Sequence, residues 1–379
     1  MSGIYIHVPF CRKKCSYCDF HFSTTFEGYR TAMVERMLGE LKQRIASWTH
    51  PIETLYFGGG SPGLLTPTEL EAFFRIIYPY LPKTEKHEIT LEANPEDLTE
   101  QNLLAWKDLG INRLSVGVQS LQDHLLQWMN RNHTAKDALL GLERLSKHNF
   151  SLSIDLIFGV PNQGVEDLEP LLALVQQQAI NHISAYGLTK EPKTLLDHWL
   201  KKGTYKFLED EEQVAHYQYV RNRLMAFGFE QYEVSNYARH QAYSIHNSNY
   251  WKRVPYLGIG PSAHSFDGHA RGYNPPSNPN YVKTLAAGKL PFVLEKLEKE
   301  ELINEEILTS LRTSWGLNTA SLADRYHLDL FQIKGASITK LTALELIHAE
   351  GKTLTLTRKG KLLADSIAAE IFLDSHDLP

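Results

Sequence analysis

The sequence predicts an α/β fold in which a parallel sheet is followed by a smaller helical region. Between residue 3 and about residue 190, six short runs rich in Ile, Val, Leu and aromatic residues alternate with segments of helix length. Parallel neighbours need crossover connections, so six β–α units in succession predict a parallel sheet. With 379 residues, 42% of them hydrophobic, the chain is long enough for one large domain and a smaller one. The spacing alone leaves a closed barrel, a partly open barrel and a doubly wound sheet as alternatives.

The six predicted strands are each short enough to be buried in a parallel sheet. They are GIYIHV (3–8), ETLYFGG (53–59), HEITLEAN (87–94), RLSVGVQ (113–119), SLSIDLIFGV (151–160) and HISAYGL (182–188). The segments between them carry helix-end signals. Thr66 to Glu69 form a capping box with proline in the first turn, and Leu70, Phe73, Phe74 and Ile77 fall on one helical face. Gly110 predicts the end of the next helix.

The remainder of the chain predicts two further regions. Residues 191–290 are interpreted as an extension with a long helix at roughly 208–227. The stretch NPPSNPNY (274–281) has three prolines among polar residues and predicts a surface crossing between domains. Residues 291–379 are helical and charged, and they end in a strand, TLTLT (353–357), and a helix. Helices followed by a small hairpin predict a winged-helix-like module, with 1–190 as the first domain.

Charge and composition exclude some classes of partner. The formal net charge of −5 argues against nucleic acid as a partner, because proteins that bind it usually carry a basic face. The same charge favours a docking module over a DNA-binding module at the C-terminus. MSGIYIHVPF lacks the apolar core of a signal peptide, and no run approaches a membrane span. Free cysteines without a secretion signal favour the cytoplasm, while contact with a membrane surface stays open.

All three cysteines of the chain, Cys11, Cys15 and Cys18, lie within eight positions directly after the first predicted strand. An odd number cannot pair fully into disulfides, and such close neighbours form strained loops. Three thiolates therefore indicate a metal. One alternative is a closed zinc site with His7 or His21 as fourth ligand. A second is a [4Fe–4S] cluster, and the third is unliganded buried thiols.

A cluster held by only three cysteines has a specific chemical consequence. A [4Fe–4S] cluster normally takes four cysteine ligands, so three leave one iron open to an exchangeable small molecule. Electrons delivered through that iron can cleave S-adenosylmethionine and start radical chemistry. FGGGSPGLL (57–65) supports this interpretation, since glycines let a backbone pass close to a ligand. A plain turn is the alternative, and the stretch lacks the lysine of a phosphate-binding P-loop.

Polar residues recur at the ends of later strands. Glu92 closes the third strand, Gln119 closes the fourth, and Asp155 lies in the fifth. The carboxyl ends of parallel strands share one face, where ligands bind. The sequence therefore predicts that these residues gather with the cysteines and glycines at one rim, although each alone is equally well a cap or a surface group.

The pairing of CRKKCSYC (11–18) with GGGSP (58–62) resembles the radical S-adenosylmethionine (SAM) superfamily. Within it, the chain is similar to the oxygen-independent coproporphyrinogen III dehydrogenase group. The shared stretches are IYIHVPFC, YFGGGSP, EANPE, LSVGVQS and DLIFGVP, which cover most of residues 3–190. The resemblance implies an incompletely closed barrel of six β–α units and a small C-terminal helical domain.

The resemblance also implies roles for individual residues. Cys11, Cys15 and Cys18 would hold the [4Fe–4S] cluster. The other implied residues surround S-adenosylmethionine: Gly59, Gly60 and Ser61 at its methionine end, Tyr17 through its backbone at the adenine, and Tyr5, Glu92, Gln119, Arg131 and Asp155 in the rest of the pocket.

Two departures separate this chain from the dehydrogenases. Phe20 stands where they carry a further cysteine, and they have an N-terminal extension that helps build their substrate site, whereas here Cys11 is almost at the start. Both departures are typical of the HemW branch, whose members are regarded as heme chaperones. The His-Asn-x-x-Tyr-Trp motif of that branch is matched in full by HNSNYW (246–251).

That motif is chemically suited to heme. His246 offers an imidazole to iron, and Tyr250 and Trp251 offer flat apolar faces to a porphyrin. The alternative is a loop histidine beside two packing aromatic residues. The resemblance thus implies a protein that binds heme, a [4Fe–4S] cluster and S-adenosylmethionine and passes heme to an acceptor that the sequence does not identify.

Two other functions stay open. The first is an enzyme that decarboxylates coproporphyrinogen III by radical chemistry, against which Phe20 and the short N-terminal segment count. The second is an interaction protein with structural zinc, which would leave the glycines and the distant polar residues without an explanation.

Overall fold

A computed structural model describes residues 1–82, 87–178 and 180–377, so residues 378–379 of the predicted third region lie outside it. Six parallel strands stand side by side in chain order, each in register with the next. All six confirm the predicted strands to within two residues at either end. They are β1 (Gly3–Val8), β2 (Thr54–Gly59), β3 (Glu88–Ala93), β4 (Arg113–Gln119), β5 (Ser151–Phe158) and β6 (His182–Gly187).

Helices connect these strands and bury their apolar faces against the sheet. The predicted capping box is present: Glu69 N donates to Thr66 Oγ1 (3.2 Å), and Thr66 N donates to Glu69 Oε2 (2.7 Å). The apolar face that follows it is buried, and Gly110 has the predicted positive φ of 80°. The connecting helices are α1 (Arg30–Ile45), α2 (Pro67–Ile77), α3 (Glu100–Asp108), α4 (Asp123–Trp128), α5 (Ala135–Leu145) and α6 (Glu169–Gln177).

The region after β6 adds strands to both edges of the parallel sheet, and its last strand, at Val293–Lys296, lies beyond the predicted boundary at residue 290. A strand parallel to β1 and another antiparallel to β6 occupy the two edges that a closed barrel would join, so the described sheet of 12 strands stays open. The predicted long helix is α8. The elements are α7 (Leu195–Lys201), α8 (Asp210–Ala226), β7 (Glu230–Gln231), β8 (Asn236–Ala238), α9 (Ile245–Trp251), β9 (Tyr256–Ile259), β10 (His264–Phe266), β11 (Ala270–Tyr273), α10 (Asn278–Ala286) and β12 (Val293–Lys296).

The prediction of a surface crossing at 274–281 was only partly correct: Pro276, Pro279 and Asn280 are exposed, but other residues of the segment are buried. Asn274 is fully buried and Tyr281 is 1% exposed. Both donate to the buried carboxylate of Glu40 on α1, at 2.8 Å from Asn274 Nδ2 and 2.5 Å from Tyr281 Oη, and Gly260 N donates to it at 2.9 Å. Polar residues are buried here because an anionic acceptor satisfies them, a partnership that the local sequence does not reveal.

The C-terminal region has its own apolar core and a separate antiparallel sheet of three strands in the order β13-β15-β14. Its helices precede a hairpin, the predicted order of elements. They are α11 (Lys299–Leu311), β13 (Leu317–Asn318), α12 (Thr319–Tyr326), α13 (Leu330–Ala343), β14 (Ile347–Glu350), β15 (Thr353–Leu356) and α14 (Ala364–Glu370). Across the described ranges, no helix combines the length and apolarity that crossing a membrane requires.

The buried hydrogen bonds to Glu40 yield a prediction about stability. Replacing Glu40 by alanine leaves the guanidinium of Arg44, which donates to it at 2.9 Å, and the other buried donors without their acceptor. We expect Glu40→Ala to lower the free energy of unfolding by about 3–5 kcal/mol in chemical denaturation. Glu35→Ala, an exposed position on the same helix, serves as the control and should change it by less than about 0.5 kcal/mol. Equal effects of the two substitutions would contradict this account.

Candidate functional site

The cysteine loop lies over the carboxyl ends of the parallel strands and is held there by backbone hydrogen bonds. Cys11 N donates to Ser23 O (3.0 Å), which closes the base of the loop. Ser16 N donates to Met129 O (3.1 Å), which ties the tip to the segment after β4. The loop is therefore fixed relative to the strand ends by its own backbone.

The three thiols open onto a cavity of about 530 Å³. Cys11 Sγ lies 3.4 Å from Ser61 Oγ, and Cys15 Sγ lies 3.5 Å from Arg131 Nη1. Burial raises the pKa of Cys11, and it raises the pKa of Cys18 to about 12. Both groups are thus thiols at neutral pH in the protein alone, and ionisation requires a positive partner such as a metal.

The glycines at the end of β2 let the backbone pass directly beneath the cysteine loop. Gly60 N donates to Val8 O (2.8 Å), and a Cβ on Gly60 would overlap the carbonyl oxygen of Phe10. Gly59 has a φ of 112°, a conformation that side chains rarely adopt. This close approach brings Ser61 to the thiol of Cys11.

Two carboxyl groups line the opposite wall of the cavity. Glu92 accepts hydrogen bonds from Tyr56 Oη (2.7 Å) and from Gly59 N (3.1 Å), and Asp155 accepts one from Ser115 Oγ (3.4 Å). Burial raises the pKa of Glu92 to about 7 and that of Asp155 to about 6. Both carboxyls would ionise more readily beside a cationic ligand.

Arg131 and Gln119 leave polar atoms without partners in this cavity. Arg131 Nη2 donates to Asn94 Oδ1 (2.6 Å) and to Gly117 O (2.7 Å), but its Nε has no partner among the described residues. Gln119 has a φ of 66°, and its buried Oε1 likewise has no described partner. An unpaired donor and an unpaired acceptor in one cavity suit a ligand that carries both kinds of group.

The structure brings together most of the site that the sequence predicts. The walls of this first cavity include all three cysteines and eight of the residues expected around S-adenosylmethionine: Tyr17, Gly59, Gly60, Ser61, Glu92, Gln119, Arg131 and Asp155. Tyr5 instead lines a second cavity, and its hydroxyl lies 3.1 Å from His7 Nδ1.

Asn94 and Ser115 also line the first cavity, although they are not among the predicted site residues. A signal was present for each. Asn94 follows the third strand by one residue, and Ser115 shares the side-chain alternation of β4 with Gln119.

The histidines proposed as a fourth zinc ligand are engaged elsewhere. His7 Nε2 lies 2.8 Å from His21 O, and His21 Nε2 lies 2.7 Å from Asn278 Oδ1. Within the described ranges, no three Cys, His, Asp or Glu side chains are arranged around a single metal ion. A cluster distributes its thiolates over several irons, so three thiols around one cavity fit it better than they fit one ion.

The HNSNYW motif forms helix α9 rather than a loop. Ile245 N and His246 N each donate to the carboxylate of Glu88 at 2.8 Å, which caps the helix. His246 is 1% exposed, with Nδ1 2.8 Å from Thr54 Oγ1 and Nε2 2.9 Å from Tyr250 Oη. Burial lowers the pKa of His246 to about 3, so the ring is neutral. Both ring nitrogens are occupied, and the ring holds the Tyr250 hydroxyl in place.

Tyr250 and Trp251 line the second cavity, which measures about 560 Å³. Its walls also include His264 of β10 and Arg271 of β11. The two cavities share Asp19, Phe20, Gly59 and Glu92. Phe20 is 68% exposed and lines both cavities. The aromatic motif and the cysteine loop therefore face adjoining spaces.

Two family models match this chain. One, described as Radical SAM superfamily, matches residues 5–175, and the other, described as HemN C-terminal domain, matches residues 297–363. The first match spans the cysteine loop and the first five parallel strands, and the second falls in the separate C-terminal core.

Curated proteins match over nearly the full length of the chain. The protein named Heme chaperone HemW from Bacillus subtilis is 33% identical over 97% of this chain and 98% of its own length. The mouse protein named Radical S-adenosyl methionine domain-containing protein 1, mitochondrial, is 34% identical over 97% of this chain and 86% of its own length.

A solved structure matches the whole fold. It is the coproporphyrinogen III oxidase HemN from Escherichia coli, described as a radical SAM enzyme, with a TM-score of 0.84 and 20% identity over 98% of this chain and 90% of that one. At this identity the likeness shows the fold alone: an α/β radical SAM fold with an open sheet and an added C-terminal domain.

The carboxyl of Glu92 yields a pH prediction. Its pKa rises from an ordinary value of 4.5 to about 7 in the folded protein. The folded state therefore holds the proton more tightly than the unfolded chain, and the stability that this provides is lost as the pH rises through about 7. In the protein without ligands, we expect the free energy of unfolding of wild type, relative to that of Glu92→Gln, to fall by about 3 kcal/mol from about pH 4.5 to pH 8.

Denaturant titrations at several pH values measure this difference. Glu211→Gln, an exposed position on α8, is the matched control and should follow wild type at every pH. A pH profile of Glu92→Gln that runs parallel to wild type would contradict the raised pKa.

Proposed function

This chain belongs to the HemW family within the radical SAM superfamily, and from that membership and the geometry of its two cavities we propose that it is a heme chaperone. It binds heme and a [4Fe–4S] cluster that coordinates S-adenosylmethionine, and it transfers heme to an acceptor protein. The observation that carries the proposal is that the three thiols and the aromatic HNSNYW residues face adjoining cavities. We place the protein in the cytoplasm, where its thiols stay reduced.

Cys11, Cys15 and Cys18 hold the cluster in this proposal. Their shared access to the first cavity supports this assignment. Burial raises the pKa of Cys11 and Cys18, so a metal that binds them must also offset the cost of ionising the thiols. When bound, the cluster supplies an electron and an open iron to S-adenosylmethionine. Phe20 offers no sulfur at the position of the further cysteine.

The polar groups of the first cavity suit the charges of S-adenosylmethionine. That molecule carries a carboxylate, an amino group and a sulfonium. Arg131 supplies a cation for the carboxylate, while Glu92 and Asp155 supply acceptors for the cationic groups. Gly59, Gly60 and Ser61 bring backbone and hydroxyl groups to the methionine end, beside Cys11. Tyr17 lines the same cavity, and we propose that its backbone contacts the adenine of S-adenosylmethionine.

Heme occupies the second cavity in this proposal. Tyr250 and Trp251 offer aromatic faces to the porphyrin, and the volume of about 560 Å³ is in the range of small-molecule sites. His246 positions Tyr250 as the structure stands. It reaches iron only if its hydrogen bond to Tyr250 opens.

The test of this function is a heme titration of the anaerobically reconstituted full chain, followed by absorbance, with iron and sulfide analysis of the same sample. We expect about four irons per chain in wild type, with one heme bound per chain. The Cys15→Ser protein should lose the cluster and still bind heme, because Cys15 does not line the heme cavity. Cluster-free wild type is the matched control. Transfer is measured by adding a heme-free hemoprotein and following its spectrum.

Three results would overturn the proposal. Zinc without iron or sulfide would favour a structural metal. Absence of heme binding would remove the chaperone function. Formation of protoporphyrinogen IX from coproporphyrinogen III over several turnovers would identify the chain as the dehydrogenase.

A further inference from the structure

We infer that His264 is the side chain that ligates heme iron and that Arg271, on the neighbouring strand, binds a heme propionate. This inference rests on the proposed heme function and assigns its ligand-binding residues. The observations that carry it concern the β10–β11 hairpin, which lies outside the HNSNYW motif.

His264 is the histidine of the second cavity with the most accessible ring. The cavity is lined by His7, His21 and His264. Both ring nitrogens of His7 are within hydrogen-bond distance of Tyr5 Oη and His21 O, and His21 Nε2 is bonded to Asn278. The ring of His264 is exposed and makes no hydrogen bond to a described residue. A nitrogen lone pair is therefore available to a metal from this residue.

The ring of His264 is oriented by a neighbour on the hairpin. It stacks on Tyr273, with 5.6 Å between the ring centroids, which fixes its orientation on the strand. The imidazole of histidine is a common axial ligand of heme iron.

The hairpin places a cation on the same face as this imidazole. In the antiparallel register, His264 stands opposite Tyr273 and Phe266 stands opposite Arg271. Residues two apart on a strand and residues directly opposite share a face, so His264, Phe266 and Arg271 face the same side of the sheet. All three line the second cavity.

Arg271 has capacity left for an anion. Its Nη1 pairs with Glu305 at 3.0 Å, but its buried Nε has no partner among the described residues. Arg253 also lines the cavity, yet it is only 10% exposed and already lies 3.5 Å from the carboxylate of Glu306. Arg271 is therefore the more accessible of the two guanidinium groups, since its side chain is 41% exposed.

An iron porphyrin matches this combination of groups. It is a flat apolar ring with a metal at its centre and two carboxylates at one edge. The cavity offers an imidazole and a cation on one hairpin, and Tyr250, Trp251 and Tyr256 supply aromatic surface beside them.

The experiment compares heme binding by the full chain in wild type, His264→Ala, His246→Ala and His269→Ala. His269 is the matched control, because it is exposed in the turn of the same hairpin and is absent from the cavity wall. We expect His264→Ala to shift the Soret band and to weaken binding by about tenfold, with millimolar imidazole restoring the wild-type spectrum. His269→Ala should match wild type. Thermal melts verify that each variant is folded.

A second variant tests the cation. We expect Arg271→Gln to weaken heme binding about threefold to tenfold without moving the Soret band. Heme dimethyl ester, whose propionates are uncharged, should bind wild type and Arg271→Gln equally. An unfolded Arg271→Gln protein would bind neither heme nor the dimethyl ester, so it could not give weaker heme binding together with unchanged ester binding.

The outcomes separate the two claims. If wild type binds no heme, the proposed function fails. If wild type binds heme and His264→Ala shows the same spectrum and affinity, this inference fails while the function stands. Loss of the ligand spectrum in His246→Ala alone would assign the iron to His246 and overturn the inference. Equal loss for heme and its dimethyl ester in Arg271→Gln would overturn the propionate assignment.

Discussion

The site depends on one close backbone contact, the passage of the glycine end of β2 beneath the cysteine loop. Gly60 lies against Val8 and Phe10 with no room for a side chain, and this contact sets the thiol of Cys11 beside Ser61. Parallel pairing of β1 with β2, and of β2 with β3, then brings Glu92 to the same space, where it accepts a hydrogen bond from Gly59 N. A loop that was free to move would separate the thiols from the groups of the later strands.

The first cavity contains buried titratable groups and unpaired polar atoms that a bound ligand would stabilise. Buried thiols and carboxyls with raised pKa values, and unpaired atoms on Arg131 and Gln119, are each unfavourable in the protein alone. Such groups gathered in one concave space are typical of functional sites. In the proposed function, the metal cluster and S-adenosylmethionine offset these costs together. Phe20 and Asp19 follow the last cysteine and also line the second cavity, so the two ligands have walls in common.

The sequence was sufficient for the six parallel strands and for most of the first cavity. Each strand is a run of six to eight residues with clear β propensity, and parallel order alone places residues as distant as Cys11 and Asp155 at one rim. The strands β7 to β12 were missed because two to four residues are too few to show an alternating pattern. The buried part of the segment 274–281 was misread because its burial depends on Glu40, more than 230 residues away. The position of His264 depends on hairpin register, which sequence patterns specify weakly for such short strands.

The central claim is that three cysteines leave one cluster iron open to S-adenosylmethionine beside the groups of the first cavity. Electron–nuclear double resonance on the reduced, reconstituted protein tests it directly, with S-adenosylmethionine isotopically labelled at its amino nitrogen or its carboxylate. The account predicts hyperfine coupling of both labels to the cluster, as expected for direct coordination of the open iron. A reduced cluster that shows no coupling to either label, with the small molecule present in excess, would contradict it.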